Sequence, residues 1–507
     1  MSDSQLVVAS NRGPVSWRRA EGRLVPRRGF GGLVTALGGA LQREPGTWVS
    51  VAMSAEDAEV AAEHRGEAFR VDTGSGQFTL RLLDVGRERF EAHYNRVANQ
   101  LLWFTVHGLW GAPYEPAGVG WSADWDDGYL PVNEAVADAV VAAVRGAGGH
   151  GGAGEVHLQD YHLTVAPRLV REALPDVAML AYLHTPWAPP SYLQRLPDRV
   201  VSELLRGLLA ADVVGFSSPI WAEEFRRCAT DLLGAGRDGD AIRLDGRRTL
   251  VRSFVLGVDA DDLAASAADA ATVAAGEDLD RERADRALIL RVDRTDLSKN
   301  ILRGLHAYEL LLSEHPEHVG RVWHYAHLNP SRQGVPAYRD YLDACRHAVE
   351  RIQERFGQDS VTVFVGDDYP KAVAALQRSD VLLCNPVTDG TNLVAKEGPV
   401  LNTRDGVMVL SRGAGAADVM APDTMPNQAT PGRAEPGGRA GALLVNPYDV
   451  EEQAAALHRA LVMDAGERAA RAEVMRAAAR RGSPEEWLAA QRTALREALA
   501  ARPGRST

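Results

Sequence analysis

Short, largely apolar runs that end in a polar turn and lead into an amphipathic stretch recur along most of this 507-residue chain. Leu6–Ser10 is such a run, and it stops at Asn11, Arg12, Gly13 and Pro14. Glu155–Leu158, Val177–Leu183, Val213–Phe216 and Leu250–Leu256 follow. Asn133–Val144 and Thr164–Ala173 carry helical periodicity between them. Runs of this kind need cover on both faces, and a helix after each run supplies it. Strands alternating with helices of roughly 10–15 residues predict an α/β chain of parallel, doubly wound sheets.

The rhythm pauses after Gly257, where Asp259–Asp285 is rich in Ala and Asp, and then restarts. The second series has strands Ala287–Val292, Val322–His327, Val361–Val365, Val381–Cys384, Val407–Leu410 and Ala442–Val445. Its helices are Ile301–Leu312, Ala337–Phe356 and Lys371–Arg378. Two Rossmann-like domains are expected, 1–257 and 258–507, the second ending in helices from Val450 onward. Ala421–Ala440, rich in Pro and Gly, reads as a surface loop. Ligands in doubly wound folds lie beyond the carboxyl ends of the strands, so the residues just after each strand are the candidates.

Charge narrows the partners. With 56 Lys+Arg against 68 Asp+Glu the net charge is −12, which gives no bulk attraction to nucleic acid or an anionic membrane. No apolar run approaches the ~20 residues of a membrane span, and Met1–Ser4 lacks the basic start of a signal peptide. Cys228, Cys345 and Cys384 are far apart, without metal-ligand spacing, which fits a reducing cytoplasm. No cofactor and no metal are expected; self-association is the one macromolecular partner the reading admits. Lysine occurs only at Lys299, Lys371 and Lys396. In so arginine-rich a chain, a lysine marks a place that wants a compact ammonium.

Several strand ends carry chemistry. Arg12 suits a bidentate phosphate contact, or simply closes a turn. Gly29, Gly31 and Gly32 precede an apolar helix and could bring amides to an anion, or form a flexible turn. Asp160 and His184 each follow a strand and suit sugar hydroxyls; a capping Asp and a partly buried His is the plainer reading. Arg294 and Lys299 share one strand-to-helix turn and could clamp a diphosphate; alternatively Arg294 pairs with Asp296 and Lys299 faces solvent. Asp389 and Gly390 precede a helix expected to start near Asn392. Glu397 lies one turn beyond Leu393, placed to hold ribose hydroxyls or to face solvent.

Taken in order, Ser10-Asn11-Arg12, Gly31-Gly32-Leu33, Tyr94-Asn95, Leu102-Trp103, Trp125 to Tyr129, Asp160 to Leu163, His184 to Trp187, Asp389-Gly390 and Asn392 to Glu397 resemble the trehalose-6-phosphate synthase family of retaining GT-B glycosyltransferases. The resemblance implies two Rossmann-like domains facing across a cleft. It also implies glucosyl transfer from a nucleotide-glucose to glucose 6-phosphate, giving α,α-trehalose 6-phosphate. Carried over position by position, Arg12, Tyr94, Trp103, Asp160 and Arg332 would contact the acceptor. Gly31, Gly32, His184, Arg294, Lys299, Asp389, Leu393, Val394 and Glu397 would bind the donor. Asp160, His184, Arg294, Lys299 and Asp389 would be the catalytic set, with front-face attack in place of a protein nucleophile.

Three positions depart from the family pattern: Gln159 stands for His, Asn300 for Gly and Thr391 for Met. Asn329–Arg332 and Glu397–Asn402 also resemble the pseudo-glycosyltransferases that couple cyclitols, and a catalytically silent sugar-phosphate sensor is the reading from another class. Where uridine-nucleotide relatives carry an aromatic residue near the base, this chain has Asp367 and Asp368. Acceptor-only carboxylates match the paired donors of guanine, so GDP-glucose is expected ahead of UDP-glucose unless these residues only cap the helix near Lys371.

Overall fold

The computed structural model describes residues 5–29, 32–44, 46–73, 76–111, 121–147, 154–421 and 441–502. It divides into two compact units, one of Met1–Leu256 with Pro484–Thr507 and one of Gly257–Ser483.

The first unit carries β1 (Leu6–Ser10), a separate hairpin β2 (Val15–Ala20) and β3 (Arg23–Arg28), then β4 (Gly46–Val51), β5 (Phe69–Asp72), β6 (Gln77–Leu83), β7 (Glu155–Gln159), β8 (Ala178–Leu183), β9 (Val213–Phe216), β10 (Gly236–Asp238), β11 (Ala241–Leu244) and β12 (Arg247–Ser253). Ten of these form one sheet in the order β10-β11-β12-β9-β8-β7-β1-β4-β6-β5. From β12 to β6 every neighbouring pair is parallel. Every residue of β1 is buried, as cover on both faces requires. The chain winds outward from β1 through β4 and β6, and in the other direction through β7, β8 and β9. The order therefore reverses between β1 and β7, where Ser10 pairs with Gln159 and both strands end level.

The second unit holds β13 (Ala287–Arg294), β14 (Val322–Asn329), β15 (Val361–Val365), β16 (Val381–Cys384), β17 (Val407–Ser411) and β18 (Leu443–Val445). All six are parallel, in the order β15-β14-β13-β16-β17-β18, which reverses between β13 and β16. β13 and β14 each run two residues past the expected apolar ends, to Arg294 and Asn329, because their polar ends still pair across the ladder. Ile289, Leu305, Leu311, Val381, Val409 and Leu457 belong to its core. Of the expected 421–440 loop, only Ala421 lies within the described residues.

The chain's end differs from the sequence expectation. Helices Val450–Val462 and Ala465–Ala479 stay in the second unit, but helix Pro484–Ala500 belongs to the first. Its apolar face explains the return. Trp487, 1% exposed, meets the Tyr182 ring edge-on at 5.0 Å. Charges on the other side are matched within the same unit: Arg492 reaches Glu155 and Glu44, both at 2.8 Å, and Glu497 receives two bonds from Arg252. Truncating a buried tryptophan removes its contacts and leaves a cavity, at a cost of ~3–5 kcal/mol. Trp487→Ala is therefore expected to lower the urea midpoint of the first unit. Faster amide exchange in β7 and β8 would report it, with β13–β17 unchanged.

Candidate functional site

The first cluster gathers at the ends of β1, β7 and β8. Asp160 follows β7 with φ 72° and ψ 168°, a conformation that costs a non-glycine residue about 1–3 kcal/mol. Its N–H donates to the Tyr182 carbonyl at 2.7 Å, and its carboxylate accepts the His184 N–H at 3.3 Å. The loop behind it is clamped. The Tyr129 hydroxyl donates to the Tyr161 carbonyl at 2.7 Å and also bonds Thr164. The Asn133 amide donates to the carbonyls of Tyr129 and His162 and accepts the N–H groups of Val165 and Ala166. Asp160 is no ordinary helix cap; its strained backbone aims the carboxyl.

The run Trp125–Tyr129 thus serves position rather than contact. It forms a widened helical turn packed on another, Glu91–Leu102. Gly128 is needed there, because a Cβ would lie 2.3 Å from that of Ala92. The wide helix presents Tyr94, stacked on His162 at 5.6 Å and on Phe90 at 5.1 Å. Just beyond it, Trp103 stacks on His107 at 3.8 Å and meets Tyr161 at 5.6 Å. Asn11, buried after β1, accepts from His93 at 2.9 Å, with Arg12 exposed beside it. Arg12, Tyr94, Trp103 and Asp160 are thereby linked around one group of strand ends. Gly31 lies outside the described residues; Gly32 opens the helix Gly32–Arg43.

His184 Nε2 bonds the Gln159 side-chain oxygen Oε1 at 3.1 Å, and the ring packs beside Trp487. Burial pulls its pKa down to about 4, and that of His93 to about 3. Both rings are neutral at pH 7. This cluster is polar without being strongly charged.

The second cluster is charged. Lys299, with 13% of its side chain exposed, forms an ion pair with Asp389 rather than facing solvent. Burial works against the Lys299 charge, but Asp389 and Asp293 outweigh it and hold its pKa above the ordinary value. Beneath the pair, Arg291 bonds Asp293 at 2.8 Å, the Lys299 carbonyl at 2.9 Å and the Asn385 side chain. Burial raises the Asp293 pKa to about 6 despite the arginine. Arg294, with 44% of its side chain exposed, reaches Asp296 only at 4.0 Å. Asp296 is taken instead by Arg332 at 3.1 Å and caps Ser298.

Three further non-glycine residues here have positive φ: Asn300 (58°), Arg332 (45°) and Asn392 (65°). The Asn300-for-Gly departure follows, because Asn tolerates the left-handed region better than other side chains. Its amide also donates to the carbonyls of Asn385 and Pro447 at 2.9 and 2.6 Å. The helix after Asp389 starts at Val394, two residues later than expected, with Leu393 as its cap. The amides of Leu393 and Val394 sit at the helix start, where intrahelical acceptors are missing. Burial raises the Glu397 pKa to about 7 and lowers that of Lys396 to about 8. At the end of β15, Asp368 caps helix Tyr369–Arg378 by accepting the Lys371 N–H at 3.0 Å. This is the capping role that the sequence offered as the alternative to a base contact. Asp367 is exposed.

The model of glycosyltransferase family 20 matches residues 4–427. The chain belongs to that family. It is a glycosyltransferase of GT-B fold. The bifunctional trehalose-6-phosphate synthase/phosphatase of Thermoproteus tenax is 34% identical over 95% of this chain, which spans 62% of that relative's length. The validamine 7-phosphate valienyltransferase of Streptomyces hygroscopicus subsp. jinggangensis is 28% identical over 99% of this chain and 96% of its own. The solved UDP-forming α,α-trehalose-phosphate synthase of Burkholderia vietnamiensis superposes with a TM-score of 0.78 at 26% identity, covering 97% of this chain and 100% of that one. Among the described residues of the family 20 chain no helix is long and apolar enough to cross a membrane.

A histidine whose folded pKa is depressed loses stability as pH falls. Below about 6.5 the unfolded ring takes a proton that folded His184 refuses until about pH 4. That window is worth up to about 3 kcal/mol for this one residue. NMR titration is expected to show the His184 ring neutral at pH 5, and His184→Gln to flatten the stability loss between pH 6.5 and 4.

Proposed function

We propose that this chain moves glucose, with retention, from a nucleotide-glucose to glucose 6-phosphate and forms α,α-trehalose 6-phosphate. The largely enclosed Lys299–Asp389 pair carries the reading, because it stands where the second sheet's strand order reverses and has half-exposed Arg294 close in sequence. In the transfer the bond from C1 to the diphosphate oxygen breaks and negative charge grows on that oxygen. Lys299, Arg294 and the amides of Leu393 and Val394 would stabilise it. Gly31 and Gly32 are assigned to the donor phosphates. Asp389 would orient the sugar, and Glu397 would hold the ribose. The acceptor hydroxyl adds to C1 on the face the phosphate leaves, and its proton passes to that phosphate. A glycosidase-type carboxylate pair has no part in this.

For the acceptor, the reading uses Arg12, Tyr94, Trp103, Asp160 and Arg332. Asp160 accepts from sugar hydroxyls, and the arginines match a phosphate dianion. Neutral His184 bonds the donor's 6-hydroxyl without adding charge. Three free, buried thiols support a reducing, cytoplasmic setting.

Among donors, UDP-glucose has the support of the UDP-forming relative. GDP-glucose keeps one specific observation, the exposed Asp367 at the end of β15, since Asp368 serves as a cap. Comparing kcat/KM for the two donors decides. UDP-glucose is expected to lead, and a GDP-glucose preference abolished by Asp367→Ala would reverse that assignment. Uridine diphosphate release with glucose 6-phosphate as acceptor separates sugar transfer from cyclitol coupling.

Arg294 tests the charge role with a half-exposed side chain, and its partner Asp296, 4.0 Å away, keeps the closer pairing with Arg332 when Arg294 is removed. Arg294→Ala is expected to lower kcat by about 10²–10³ with a nearly unchanged melting temperature. Normal turnover would remove it from the catalytic set.

A further inference from the structure

Three histidines and a glutamate converge at the other end of the second unit's helices. Helix Ile301–Glu314 ends at His315, and the turn Pro316–His318 follows. In such a turn the side chains at i and i+3 eclipse, and His318 N–H closes it on the His315 carbonyl at 3.0 Å. His458 comes from helix Val450–Val462. One ligand atom from each of His315, Glu317 and His458 lies within 4.8 Å of the other two.

We infer that His315, Glu317 and His458 form a site for a divalent transition-metal ion of the zinc class, with His318 as the residue that orients His458. Two imidazoles and a carboxylate are a donor set for zinc, cobalt or nickel. A tetrahedral zinc with ligand bonds of about 2.0–2.1 Å sets its ligand atoms about 3.3–3.4 Å apart. His315 Nδ1 and Glu317 Oε1 already stand 3.2 Å apart. His318 Nε2 meets His458 Nδ1 at 3.0 Å. A metal-binding histidine commonly has its other ring nitrogen held by a neighbour in this way, and the contact leaves His458 Nε2 to the ion. The His315 and His458 rings stack at 3.6 Å and 7°, so the ion needs one of them to turn about χ2, a broad and soft torsion. The Glu317 side chain is 56% exposed and that of His315 32%, giving the ion a path in and leaving a fourth position to water.

The two helices start on the strand-end side, where Asn300 already bonds the Pro447 carbonyl ahead of the second helix. The ion would tie them again about two turns along the second helix and about four along the first. It would brace the unit rather than join the transfer chemistry.

Untagged full-length protein, freed of metal by chelation, tests this. Calorimetry with Zn²⁺ and the visible absorption of Co²⁺ are expected to show one saturable site per chain. Saturating Zn²⁺ is expected to raise the melting temperature by roughly 5–10 °C. His315→Ala, His458→Ala and the shape-preserving Glu317→Gln are each expected to weaken binding at least about tenfold, with circular dichroism confirming the fold. Absence of saturable uptake by the parent would overturn the site, as would equal uptake and equal thermal shift in the His315→Ala/His458→Ala double variant.

Discussion

An ammonium group drawn into the end of a sheet needs a carboxylate in contact with it, or the desolvation cost expels it. Lys299 and Asp389 meet that condition, and much of the second unit is arranged around them. Arg291 and Asp293 lie beneath the pair. Arg291 also grips the Lys299 carbonyl and Asn385, and Asn385 bonds Gln453 on helix Val450–Val462 at 2.6 Å. The network joins β13, β16 and two helices, so the geometry of the charged cluster and the packing of the unit depend on the same bonds. Removing one member strands another.

In the first unit, hydrogen bonds from neutral side chains hold the loop after β7. Strain at Asp160 is restrained by the Tyr182 carbonyl, and Tyr129 and Asn133 hold the loop behind it. His93 and His184 are kept neutral by burial. A neutral, hydrogen-bonding surface suits sugar hydroxyls, whereas concentrated positive charge suits phosphate oxygens. The first cluster sets Arg12 and Asp160 among neutral rings, whereas in the second Lys299, Arg291 and Arg332 are each matched by an aspartate.

Much of this was legible from residue order. The strand–helix alternation marked both sheets, and the residues after β1, β7, β13 and β16 are those that gather at the reversals of strand order. The scarcity of lysine pointed to Lys299. Other parts depend on partners distant in sequence. Asp296 is adjacent to Arg294 in any one-dimensional reading, yet Arg332, 36 residues away, takes its carboxylate. Asp368 reads equally as a base contact or a cap until the position of the Lys371 N–H decides it. Trp125–Tyr129 carried only a family likeness in the sequence; Gly128 lying against Ala92 shows how closely the run packs on helix Glu91–Leu102. The histidine group was not complete in the sequence, because His315, Glu317 and His318 are neighbours but His458 lies 140 residues beyond His318.

The return of helix Pro484–Ala500 makes the second unit an insertion within the first. The chain leaves after Leu256 and comes back at Pro484. At the departure Gly257 donates its N–H to the Gly482 carbonyl, and any larger residue would press a Cβ to 2.4 Å from the Arg481 carbonyl. During synthesis, β7 and β8 leave the ribosome more than 300 residues before Trp487, which covers Tyr182 and His184. The inserted unit can close on its own residues first, while the first unit must wait for helix Pro484–Ala500 to be translated. A chain released before Pro484 would therefore carry a closed second unit and a first unit with the apolar seat of Trp487 left open as a mark for chaperones or proteases.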